Sequence, residues 1–144
     1  MNNFKKGSLW RKWDLHVHTP KSIVQDYGGD SKAVWDKFIN TLSTLPPEVK
    51  VIGITDYLFI DGYEYILTRR SEISNIELII PNIEFRLNTF SGTASNTKRH
   101  NFHVLFDPTI SIRDIREQLL NCLSKGYLIT DKSKWERTPT INSL

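Results

Sequence analysis

The sequence has one cysteine, no low-complexity run and no apolar stretch long enough to cross a bilayer, and each absence removes a class of protein. One cysteine excludes an internal disulfide. That residue, Cys122, falls on the apolar stripe of an expected helix, which points to a buried structural thiol and away from a nucleophile. Lys5, Lys6, Arg11 and Lys12 make the start of the chain basic, but no apolar segment of the signal-peptide kind follows them. The expected location is therefore cytoplasmic, with no membrane partner. A net charge of +3 is compatible with phosphate-rich partners but is too small an excess to define one. The length of 144 residues allows one globular unit at most.

Histidine is also scarce, yet two of the four sit two positions apart in Trp13-Asp14-Leu15-His16-Val17-His18-Thr19. In an extended strand, residues i and i+2 share a face, so His16 and His18 can present two imidazoles to one metal ion. Strand and helix patterns then alternate along the chain. Lys12 to His18 reads as a strand, and a Gly/Asp/Ser-rich loop at residues 28–31 leads into a helix with Val34, Trp35, Phe38, Ile39 and Leu42 at the spacing of an apolar face. Pro46 and Pro47 end that helix. Val49 to Thr55 is almost continuously apolar, as in a strand buried on both faces. Asp61 and Glu64 resemble a capping box for a second helix reaching about Glu72. Glu77 to Glu84 reads as a third strand and Asn101 to Phe106 as a fourth, with a polar loop over Asn88–Arg99 between them. Ser111 and Asp114 cap a last helix carrying Ile112, Ile115, Leu119 and Cys122, with Gly126 just past its end.

This alternation predicts an α/β fold of right-handed βαβ units on a parallel sheet. His18, Asp56 and Glu84 then close three strands, and His103 lies within the fourth. Taken singly, each has a structural reading: a chance pair of histidines, a loop cap, a solvated carboxylate, a satisfied core histidine. Together they are ligand-capable residues on four consecutive, otherwise apolar strands, and a divalent cation would offset the cost of grouping them.

Four runs in this order, Asp14-Leu15-His16-Val17-His18-Thr19, Gly53-Ile54-Thr55-Asp56, Pro81-Asn82-Ile83-Glu84 and Phe102-His103-Val104, resemble the first motifs of the PHP (polymerase and histidinol phosphatase) domain. Through residues 12–20 and 101–106 the chain is more closely similar to the N-terminal PHP domain of TrlF-like proteins, large proteins that join such a domain to an SMC-like or AAA-like ATPase. The similarity covers about residues 8 to 110. It implies a distorted seven-stranded (β/α)7 barrel that holds divalent metal ions (zinc, manganese or iron) and hydrolyses phosphate esters, with a phosphate ester or nucleic acid as substrate. By position, His16 and His18 would bind the first metal, Glu84 would bridge the first and second, and His103 would bind the second. Asp56 would orient a histidine or a water, with Asp14 as a similar support. Arg86 or the Lys98-Arg99-His100 cluster could grip a phosphate, a solvated basic loop being the plainer reading of the cluster.

The chain departs from the family pattern in ways that bear on this expectation. Tyr57 and Val24 stand where many PHP domains carry histidines for a third metal, which leaves two ions. The family's later histidine and Asp-x-His pair have no counterpart, since no histidine follows His103. Barrels of parallel strands and helices usually take roughly 200 residues or more, so residues 1–144 are expected to be the N-terminal portion of the domain, incomplete at the C-terminus and inactive alone. Thr138 to Leu144 reads as a loop entering another element. The sequence holds no P-loop, so an ATPase region would belong to sequence outside it. Two other readings compete. One is a non-catalytic PHP module that binds metal or partner proteins. The other is an amidohydrolase, which also places HxH on a first barrel strand but whose lysine or glutamate and paired histidines are not found.

Overall fold

A computed structural model describes residues 11–24, 26–93 and 96–124. The expected helix end at Gly126, the basic Lys5 and Lys6, and the segment 138–144 lie outside the described residues. The apolar run after Pro47 becomes strand β2 (Val49–Tyr57), buried from Val51 to Tyr57 as a strand covered on both faces should be. On one side it pairs in parallel with β1 (Lys12–Val17), and on the other, also in parallel, with β3 (Leu78–Thr93). β4 (Asn96–Leu105) pairs with β3, giving one curled four-stranded sheet in the order β1-β2-β3-β4. The fold is thus mixed α/β with a half-barrel sheet.

Helix α1 (Lys32–Ser43) connects β1 to β2 and buries Trp35, Phe38, Ile39 and Leu42, the expected stripe, while Val34 stays only partly covered. Helix α2 (Asp61–Thr68) and a 3-10 turn (Arg70–Ile73) connect β2 to β3. Ile52, Ile54 and Ile83 of the sheet meet Ile60, Ile66, Ile73 and Ile76 of this connection, all at 1% exposure or less, so the core lies between the sheet and its crossovers.

Five expectations are corrected. The all-parallel sheet fails at β4, which runs antiparallel to β3 as the second arm of a hairpin. The connection between them, residues 88–99, lacks an apolar stripe that could lay a helix on the sheet, so the expected polar loop is instead largely extended and paired within the hairpin. Consequently Glu84 lies inside β3 and not at its end. Asp61 is not an N-cap: Ile60 holds that position, and Asp61 and Glu64 both accept from Arg116, at 2.5 and 2.6 Å. Finally, Cys122 is exposed. Ser111 does cap the last helical run, its Oγ accepting from the Asp114 N–H at 3.0 Å. However, the run opens as α3 (Ile112–Asp114), widens to a π-helix (Ile115–Leu120) and returns as α4 (Asn121–Ser124). The wider turn moves the apolar stripe out of the 3.6-residue period, so Ile115, Leu119 and Leu120 face the core and Cys122 does not.

β1 and β2 approach so closely that only glycine fits at position 53. A Cβ there would lie 2.7 Å from the Leu15 carbonyl oxygen and 2.9 Å from the Leu15 Cα, both backbone atoms. Gly53→Ala is expected to destabilise the protein by about 1–3 kcal/mol, the range for overpacking, read as a lower urea midpoint with unchanged slope. An unchanged midpoint would mean that β1 is free to move away.

Candidate metal centre

β1 gains one residue on β2 between Asp14 and Val17, since Asp14 pairs with Ile52 and Val17 with Ile54. Such a bulge frees backbone groups from the ladder and re-aims the side chains it carries. Here the freed groups are met by side chains. The His16 N–H donates to Asp14 Oδ1 at 3.1 Å. The Leu15 carbonyl accepts from Thr55 Oγ1 at 2.9 Å and from Asn82 Nδ2 at 2.8 Å, and Asn82 also donates to Thr55 Oγ1 at 2.8 Å. Three strands are therefore tied together directly beneath the histidine pair.

The bulge turns both imidazoles toward Glu84. His16 Nε2 lies 3.0 Å and His18 Nε2 3.3 Å from Glu84 Oε2, and the two nitrogens are 3.1 Å apart. On the other side of the carboxylate, His103 Nε2 lies 3.9 Å from Oε1. Tyr57, Glu84 and His103 are adjacent in register across β2, β3 and β4, which explains how the hairpin delivers the third imidazole. Glu84 is fully buried and its Oε1 has no hydrogen-bond partner among the described residues, whereas the His16 side chain is half exposed, so the group opens to solvent on the histidine side. Burial drives the Glu84 pKa upward, but the hydrogen bond from His18 and the charges of His16 and His103 outweigh it and hold the carboxyl below its usual range. Burial also lowers the His103 pKa, against the pull of Glu84 and with help from His16 and His18.

This donor set fits a divalent ion. Two ligands each about 2.0–2.1 Å from a tetrahedral zinc are about 3.3 Å apart, and His16 Nε2, His18 Nε2 and Glu84 Oε2 form a triangle with edges of 3.0, 3.1 and 3.3 Å. The unpartnered Oε1 beside His103 offers a second position, and His16, Glu84 and His103 bring ligand atoms within 4.8 Å of one another.

Asp56 sits behind the centre. Its Oδ1 accepts from the Thr19 N–H at 2.9 Å and its Oδ2 from the Thr19 hydroxyl at 2.7 Å, so it fastens the residue after His18 and makes no direct contact with an imidazole. Burial raises its pKa, opposed by the two bonds from Thr19 and the charge of His18. The first turn of α2 lies against this pair: a Cβ on Gly62 would fall 2.0 Å from Asp56 Oδ2 and 2.2 Å from Thr19 Oγ1. The Arg86 guanidinium lies over the Tyr57 ring at 5.6 Å, and that ring stacks on His18 at 5.0 Å, so Arg86 stands at the edge of the group. Leu58, next in the chain, holds φ +60° while its N–H donates to the Glu84 carbonyl at 3.2 Å. A left-handed leucine costs roughly 1–2 kcal/mol, and that strain sits beside the candidate ligands. Lys98 and His100 are exposed on β4, and no described contact joins them to the group.

Sequence reasoning did not single out Gly62, and Thr19, Thr55 and Asn82 entered only as members of motifs, with no role of their own. Thr55 and Asn82 carried a signal, because each interrupts an apolar strand. No family model, curated protein or solved structure matches the chain.

Asp56→Ala leaves two buried Thr19 donors unpaired, and each such group costs about 1–3 kcal/mol. A large fall in urea stability is expected for Asp56→Ala and a smaller one for Asp56→Asn, which keeps an acceptor; equal values would contradict the pairing. The pKa directions give a second expectation. Because the folded pKa of His103 is depressed, its contribution is present above the unfolded value, about 6.5, and is lost as pH falls through the folded value. Glu84 adds a loss of the same sign further into acid. Metal-free protein should therefore lose stability on acidification from neutral pH, and His103→Gln should flatten the upper part of that curve.

Proposed function

We propose that this chain carries the first part of a metal-dependent phosphoesterase of PHP type, a distorted (β/α)7 barrel acting on phosphate esters of nucleotides or nucleic acid beside an SMC-like or AAA-like ATPase region. The observation that supports it most is Glu84. A carboxylate buried completely, with two imidazoles on one oxygen, a third near the other and no hydrogen-bond partner on Oε1 among the described residues, has the placement expected of a carboxylate that would bridge two ions. The motif resemblance supplies the reaction class, and the parallel β1-β2-β3 portion of the sheet agrees with the start of such a barrel.

In this reading His16 and His18 would hold a first ion and His103 a second, with Glu84 as a ligand that could serve both. Zinc, manganese or iron bound there would supply polarisation of a phosphoryl oxygen and activation of water near neutral pH. Arg86, next to Glu84 on the same strand face, offsets charge on the phosphate. Tyr57 keeps that guanidinium and the His18 ring stacked in sequence. Asp56 acts at a distance by fixing Thr19, and thereby the exit of β1.

With zinc or manganese supplied, the complete domain, this chain together with the remaining strands of the barrel, is expected to hydrolyse bis(p-nitrophenyl) phosphate, and replacing His16 and His18 together by Ala should remove the activity. Arg86→Ala should raise KM about 10- to 100-fold, the equivalent of one charge-assisted contact, with a smaller effect on kcat. Turnover that survives the double histidine substitution would contradict the proposal, and bound metal without turnover on any phosphate ester would favour the non-catalytic module.

A further inference from the structure

The loop after β1 holds His18 from three directions, and one of its contacts has a chemical consequence. Ser22 is 4% exposed, and its Oγ lies 3.3 Å from His18 Nδ1. Its backbone N–H donates to the Thr19 carbonyl at 2.9 Å, closing a tight turn whose first residue is anchored to Asp56 by two hydrogen bonds. The Tyr27 hydroxyl donates to the His18 carbonyl at 3.1 Å, and Tyr57 stacks on the imidazole at an interplanar angle of 23°. The ring is thus fixed by a backbone contact, a face contact and a contact at one nitrogen.

From this arrangement we infer that Ser22 is a positioning residue, which engages Nδ1 of His18 so that Nε2 is held toward Glu84 Oε2 and is available as a ligand. A neutral imidazole carries one proton, so the partner at one nitrogen decides what the other can do. A serine hydroxyl suits this place because it accepts from an Nδ1–H when Nε2 binds a cation, and donates to Nδ1 when Nε2 carries the proton. The same contact therefore survives loading and unloading of the site. His16 differs: it is anchored through its backbone by Asp14 and its side chain is half exposed. The inference rests on the metal reading for its consequence, but the Ser22 contact is testable without metal.

The experiment compares wild type, Ser22→Ala and Ser22→Thr by imidazole nitrogen NMR of the metal-free protein and by competition titration with zinc alone. Ser22→Ala should shift the His18 Nδ1 resonance, leave that of His16 in place and weaken zinc binding about 10- to 100-fold, the usual effect of losing such a partner. Ser22→Thr, which keeps the hydroxyl, should restore both, and an unchanged urea midpoint shows that the fold is intact. A His18 Nδ1 resonance identical in wild type and Ser22→Ala overturns the inference, as does zinc binding by both with equal affinity. If the His18 resonance responds to Ser22→Ala but wild type takes up no zinc, the positioning contact stands and the metal reading falls.

Discussion

The constraint on which the rest of the structure depends is the complete burial of the Glu84 carboxylate. A carboxylate removed from water needs compensating charge or hydrogen bonds. Here three imidazoles stand at 3.0, 3.3 and 3.9 Å and the Tyr57 side chain also interacts with the carboxylate, while Oε1 has no hydrogen-bond partner among the described residues. The β1 bulge, the antiparallel return of β4 and the strained Leu58 turn all act at this point. Each brings a group toward Glu84: the imidazole of His16 from β1 and that of His18 just past its end, one imidazole from β4, and a backbone N–H to the Glu84 carbonyl.

Support for the imidazoles comes from a layer of buried polar groups that bond to the backbone and to one another, with Asn82 Oδ1 left without a hydrogen-bond partner among the described residues. Asn82 and Thr55 secure the Leu15 carbonyl, and Asp56 secures Thr19 on the far side of His18. Glycine at positions 53 and 62 lets β1 and α2 approach these bonds at distances that a methyl group would forbid. The centre is therefore held by close backbone packing as much as by its ligands. Substitutions two layers away are expected to reach the histidines through this packing.

Much of this arrangement was legible in the sequence. The apolar face of α1, the doubly buried β2 and the Ser111 cap followed from periodicity and turn chemistry, and the convergence of His16, His18, Glu84 and His103 followed from their places on successive strands. The direction of β4 did not, because a polar stretch between two strands does not reveal whether it forms a loop, a crossover or the arms of a hairpin. The exposure of Cys122 was hidden for a similar reason: a π-helix changes the period on which stripe counting depends. Asp56 was identifiable as important, but its partner Thr19 was not, since a single hydroxyl beside two histidines carries no signature of its own.

The central claim is that His16, His18 and Glu84 form one face of a metal's coordination shell. X-ray absorption spectroscopy on the zinc-loaded protein tests it most directly. The account predicts a first shell of nitrogen and oxygen at about 2.0–2.1 Å with outer-shell scattering from at least two imidazoles, reduced when His16 and His18 are replaced. A shell built from water oxygens alone, or an imidazole signal that persists without these two residues, would contradict it.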